Sequence, residues 1–114
     1  NLDSGRIGIA TQALGIARAA FETAAGYANV RKAFKKPIGA FQGIQWKIAD
    51  MAKNIDAARL LIYRAAYMRD KGVKYSRQAA MAKLFSSEMA VDVTRDAIQI
   101  LGGYGYTKGH PVER

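Results

Sequence analysis

Residues 3–30 read DSGRIGIATQALGIARAAFETAAGYANV. Apolar or small side chains recur at Ile7, Ala10, Leu14, Ala17, Phe21, Ala24 and Ala28, in alternating steps of three and four. That period places them on one stripe of an α-helix, and it fits no strand, whose side chains alternate faces at every residue. Asp3 and Ser4 stand at the start as N-cap candidates, because their oxygens can accept unpaired amide protons of a first helical turn. Gly5, Gly8, Gly15 and Gly26 each cost about 1 kcal/mol against Ala inside a helix. A helix that keeps four of them, among so many alanines, is expected to be buried, packed closely against neighbours or a ligand.

Two further helices follow from the same period. Pro37 lacks an amide proton and biases Lys36 to extended geometry, so the first helix cannot continue through it. Ile44, Ile48, Met51, Ile55, Ala58, Ile62 and Ala65 then repeat the alternating step and predict a helix over 40–70. Gly72 is placed to end it in the left-handed conformation. The third helix is predicted over 75–101 and carries two apolar stripes: Ala82, Phe85, Met89 and Val93 on one, Met81, Leu84, Val91 and Ile98 on the other. A helix apolar on two faces packs on two partners. Gly102 and Gly103 stop it, and 104–114 reads as a loop. There is no strand pattern and no internal repeat. The fold class is all-α, an up-and-down bundle of three long antiparallel helices forming one domain over 1–114, self-associating through its uncovered apolar faces.

Composition narrows the function classes. At 114 residues, half of them apolar, the chain can bury one core. No apolar run approaches the roughly 18 residues of a membrane span. Without cysteine there is no disulfide framework or thiolate metal site. The formal charge of +9 raises nucleic acid, acidic membranes and phosphate-bearing small molecules as partners. The cations are dispersed, however. Only the run from Arg31 to Lys36 is tight and no recognition helix accompanies it, so no nucleic-acid partner is expected.

Candidate chemistry is sparse when read residue by residue. His110 is the single histidine, which excludes a histidine metal cluster. The hydroxyls of Ser86 and Ser87 are expected to bond preceding carbonyls or solvent. Met51, Met68, Met81 and Met89 read as core fillers, and Trp46 and the tyrosines as packing residues. The stretch Gln99-Ile100-Leu101-Gly102-Gly103-Tyr104-Gly105-Tyr106 follows a helix, so it is not a dinucleotide fingerprint, which needs a preceding strand. Its glycines serve either as a helix cap or as a place where a phosphate approaches the backbone, with Gln99 as a side-chain partner. Arg31 is equally open: a favourable charge at a helix C-terminus, or a phosphate ligand.

Taken together, Arg31-Lys32-Ala33-Phe34-Lys35-Lys36-Pro37-Ile38, Phe41-Gln42 and the Gln99 to Gly103 segment resemble the C-terminal helical domain of acyl-CoA dehydrogenases, in the same order and at the same spacing. The resemblance runs from Leu2-Asp3-Ser4-Gly5-Arg6 to Pro111-Val112-Glu113-Arg114. It implies FAD as cofactor. Arg31 would face its pyrophosphate, and Phe34, Gln42, Gln99, Ile100, Leu101, Gly102 and Gly103 would line it, often across a subunit interface. It implies acyl-CoA as substrate, with Asp3, Ser4, Gly5 and Arg6 beside its pocket, and the Asp3-Ser4-Gly5-Arg6 form favours the short-chain type. Lys35 stands where the family usually has glycine, Asn29-Val30 where Lys-Glu is common, and Gly109 at a place usually acidic.

The reaction implied is oxidation of acyl-CoA to the trans-2-enoyl thioester, a step of fatty acid metabolism. A glutamate removes the α-proton while the β-hydrogen leaves as hydride to the flavin. Family members carry that glutamate either at the position of Gly5 or in a segment beyond Arg114. Gly5 has no carboxylate, so the base is expected beyond Arg114. The domain's last helices are expected there too, and these 114 residues alone should not catalyse. The resemblance further implies electron-transfer flavoprotein as partner, a homodimer or homotetramer, and a cytoplasmic or mitochondrial-matrix location. The rival readings are a related flavoprotein with another acyl carrier or electron acceptor, and a non-catalytic helical interaction module.

Overall fold

The computed structural model describes residues 1–31 and 42–102. They form three helices, α1 (Leu2–Arg31), α2 (Gln42–Asp70) and α3 (Ser76–Leu101), with no strand among the described residues. Ala40 and Phe41, predicted to open the second helix, lie outside the described residues. Every other predicted boundary falls within one residue of the observed one.

The ends explain themselves chemically. Asn1, and not Asp3 or Ser4, caps α1: its Oδ1 accepts the Ser4 amide at 2.9 Å and its carbonyl accepts the Gly5 amide at 3.1 Å. Asp3 and Ser4 already lie inside the first turn, where their side chains are used otherwise. Gly72 ends α2 as predicted, at φ +75°. The Val73 amide bonds the Met68 carbonyl at 3.1 Å and the Gly72 amide bonds the Arg69 carbonyl at 3.0 Å, a Schellman closure that satisfies otherwise unpaired carbonyls. Gly102 closes α3 at φ +57°, its amide donating to the Gln99 carbonyl.

Hydrogen bonds fix the directions. Tyr75 at the start of α3 reaches Ser4 at the start of α1, while Lys47 near the start of α2 reaches Gln99 near the end of α3. The chain therefore runs up, down and up. Neighbours in sequence are antiparallel, and α1 and α3 are parallel. The body measures 56 × 27 × 16 Å, in keeping with a 30-residue helix of about 45 Å lying along its length.

The most extensive contact joins α1 to α3. Its closeness comes from alanine: Ala10, Ala17 and Ala24 on α1 and Ala79, Ala82 and Ala97 on α3 are completely buried, and larger Leu14, Met89, Val93 and Leu101 fill between them. Met51, Ala58, Ile62 and Ala65 bring α2 onto the same core, with Ile44, Ile48 and Ile55 half-buried at its edge.

Several expectations are corrected. Gly5, Gly8, Gly15 and Gly26 do not mark the tight face, since a Cβ at any of them meets nothing within 4 Å. They lie on the outer side of α1, opposite the alanine stripe. Met51 and Met89 are core fillers, but Met68 is half-buried and Met81 exposed. Trp46, Tyr63 and Tyr67 are exposed rather than packed, the two tyrosines lying under the Arg59 and Lys71 cations at 6.0 and 5.5 Å. Ser86 is fully buried, and its Oγ has no hydrogen-bond partner. The second stripe of α3 is left uncovered at Met81, Leu84 and Val91, with Leu84 63% and Val91 58% exposed, while Ile98 is half-buried against the core.

Candidate functional site at the two ends of the bundle

The up-down-up course sorts the candidate residues into two groups at opposite ends. At the first end the opening turn of α1 meets the start of α3. Asp3 is held by both oxygens, Oδ1 accepting from Arg6 Nη1 at 3.3 Å and Oδ2 from Ser76 Oγ at 2.6 Å. Ser4 Oγ and the Tyr75 hydroxyl are 3.2 Å apart, and that hydroxyl donates to Asn1 Oδ1 at 3.4 Å. Asp3 and Ser4 thus act as struts that tie α1 to α3. These two bonds take about two of the four lone-pair sites of the Asp3 carboxylate, one on each oxygen. Arg6 is about one-third exposed, and Asp3 takes only one of its five N–H donors, so it is the side chain here equipped to meet an anionic or carbonyl group. Gly5 is exposed beside open space and offers no acid or base.

At the second end the backbone gathers the last residue of α1, Arg31, the first of α2, Gln42, and the last turn of α3 with Gln99, Ile100, Leu101 and Gly102. Ile100 and Leu101 are buried in the core and support the turn from below. Gln99 and Gly102 are exposed, and space is open beside Gly102. The Gln99 side chain is not free. Its Oε1 accepts from Lys47 Nζ at 2.8 Å, and Lys47 also stands 3.7 Å from Asp96 Oδ1. The stretch of sequence that runs from α1 into α2 is one-sided in charge, while α3 brings Asp96 to this end. From residue 23 to 49 there is no acidic residue, while Arg31, Lys32, Lys35, Lys36 and Lys47 are basic. Phe34 and Gly103 lie outside the described residues, as do the side chains of Arg31 and Gln42.

Sequence reading missed Tyr75 and Ser76, which anchor the first group, and Lys47, which holds Gln99. Each acts across more than fifty residues of chain, so periodicity carries no trace of the pairing. An apolar groove of about 480 Å³ between α1 and α3, lined by Ile16, Ala90, Val91, Thr94, Arg95 and Ile98, contains none of the candidate residues and coincides with the uncovered stripe of α3. No described helix is long and apolar enough to cross a membrane.

Comparison with known proteins identifies the family to which this helical framework belongs. The family described as acyl-CoA dehydrogenase, C-terminal domain, matches residues 1–114. A short-chain specific acyl-CoA dehydrogenase of Clostridium acetobutylicum is 53% identical over 113 residues, covering 99% of the chain and 30% of that protein. A 3-(aryl)acrylate reductase of Clostridium sporogenes is 52% identical over the same length, again 99% of the chain and 30% of the relative. The solved structure of butyryl-CoA dehydrogenase from Megasphaera elsdenii superposes with a TM-score of 0.94 at 50% identity, over 99% of the chain and 30% of that structure. The chain thus spans about a third or less of the proteins it matches. Sharing both their sequence along its whole length and their helical framework, it belongs to the acyl-CoA dehydrogenase family, whose C-terminal helical domain it represents.

Proposed function

We propose that the chain is the part of an FAD-dependent, short-chain acyl-CoA dehydrogenase that grips the flavin phosphates at one end and borders the acyl-CoA pocket at the other. The observation that carries this reading is the convergence of Arg31, Gln42, Gln99 and Gly102, remote in sequence, on one basic end of the bundle. The donor set suits a pyrophosphate. A guanidinium can take phosphate oxygens bidentately, Gln99 keeps its amide protons for an outer partner, and open space beside Gly102 admits close approach. The flavin, when bound, supplies hydride acceptance. This chain's part is to hold it, while Arg6, braced by Asp3, meets the thioester ligand. Proton removal falls to a glutamate outside these residues, since Gly5 offers none. Electron-transfer flavoprotein is the proposed acceptor of the reducing equivalents. The exposed stripe through Leu84 and Val91 is the proposed homo-oligomer face.

The test is Arg31→Ala in the full-length protein. Loss of a charge-assisted contact worth about 1.5–3 kcal/mol should weaken FAD binding roughly ten- to a hundredfold and leave melting of the apo-protein unchanged. A lowered apo melting point with unchanged flavin affinity would assign Arg31 to the helix end alone.

One observation favours a second reading. The aryl-acrylate reductase is as similar to this chain as the short-chain dehydrogenase is. A flavoprotein of this family that works in the reductive direction on an aryl acrylate is therefore the alternative. Turnover of butyryl-CoA against reduction of an aryl acrylate by the full-length protein separates the two.

A further inference from the structure

Lys47 is not among the residues that the resemblance implicates, yet it is the side chain that holds Gln99. It reaches from α2 to the last turn of α3, donating to Gln99 Oε1 at 2.8 Å with Asp96 Oδ1 3.7 Å away. An ammonium carries three donors and no acceptor, so it can bind the oxygen of a carboxamide and never its NH₂ group. Holding the oxygen on Lys47 leaves the NH₂ for a partner on the other side. Asp96 favours the reverse. It lies three residues before Gln99 on the same helix, a spacing at which side chains meet, and its carboxylate accepts only. Without Lys47 that carboxylate would draw the Gln99 NH₂ toward itself and turn the oxygen outward.

We infer that Lys47 is a positioning residue that fixes the polarity of the Gln99 carboxamide, so that donors and not an acceptor face a phosphate-bearing cofactor. The inference rests on Gln99 being a cofactor contact. A phosphate oxygen has nothing to donate to an outward carboxamide oxygen, so a flipped Gln99 is worse than none. Lys47 acts through Gln99, and its own charge is partly neutralised by Asp96.

The test is flavin affinity measured by titrating FAD into the full-length apo-protein, with apo melting recorded alongside, for Lys47→Met, Lys47→Arg, Gln99→Ala and the Lys47→Met/Gln99→Ala pair. Gln99→Ala should weaken binding about fivefold, as loss of one neutral hydrogen bond does. Lys47→Met should cost at least as much while Gln99 is present and nothing further once Gln99 is alanine. Lys47→Arg, which also only donates, should recover most of the affinity. Penalties that multiply in the double variant would overturn the inference alone, because Lys47 would then act independently of Gln99. So would a Lys47→Met protein with lowered apo melting and unaltered affinity. An unaltered affinity in Gln99→Ala would remove both the inference and the reading of Gln99 on which it stands.

Discussion

Replacing Ser86 by alanine should stabilise this domain. Ser86 sits midway along α3, completely buried, with an Oγ that reaches no partner. A hydroxyl left unpaired in the interior costs about 1–3 kcal/mol of desolvation. Alanine removes that cost and raises helix propensity by about half a kcal/mol. Against this stands the space of one missing oxygen, smaller than the methyl-sized void that costs about 1 kcal/mol. The balance is a gain of about 1 kcal/mol. Equilibrium urea unfolding at fixed protein concentration reads it directly: with an m-value of about 1–3 kcal/mol/M, the midpoint should rise by roughly 0.3–1 M at constant m. Ser86→Thr is the control, since it adds a methyl to a filled position and should cost about 1–3 kcal/mol. A midpoint that falls for Ser86→Ala would show that the hydroxyl is bonded and that the orphan does not exist.

Gly15→Ala should raise the stability of the chain by about 0.5–1 kcal/mol, because a Cβ there meets nothing within 4 Å; thermal melting reads the change. Tyr75→Phe removes the hydroxyl shared by Ser4 and Asn1 and should cost about 0.5–1.5 kcal/mol, again seen in the urea midpoint. Val91→Lys, at a 58% exposed position on the uncovered stripe, should change stability by less than about 0.5 kcal/mol yet weaken self-association in sedimentation velocity.

The helices were legible in the sequence because their signals are local. Pro37, Gly72 and Gly102 act through their own backbone, and the three-four step of α1 names Ala10, Ala17 and Ala24 without knowledge of what they touch. The four glycines of α1 do not report close packing, since a glycine costs helix stability whether it faces a neighbour or open space. Asn1 was passed over as the cap because Asp3 and Ser4 are equally good oxygen acceptors, and only the turn's starting residue decides among them. At the site, the resemblance names Arg31, Gln42 and Gln99 as flavin contacts, and the helix order brings their backbone positions to one end of the bundle. Lys47, Tyr75 and Ser76 escaped notice because a lysine or a tyrosine in a helix carries no mark of a bond formed fifty or seventy residues away. Ser86 looked like an ordinary helical serine until its burial was seen.

The course of α3 has a consequence for genetics. Ser76, beside Asp3, and Gln99 are separated by most of a 26-residue helix, roughly 35 Å at 1.5 Å per residue. Under the proposed function the flavin phosphates and the acyl-CoA pocket lie at these two separate ends, and the resemblance implies flavin contacts made across a subunit interface. In a twofold assembly under the proposed function, each centre takes the Asp3 end of one chain and the Gln99 end of the other. Two inactive alleles, one damaged at each end, would then combine in a heterodimer so that one centre receives both lesions and the other receives neither. Such alleles should complement each other, while two alleles damaged at the same end should not.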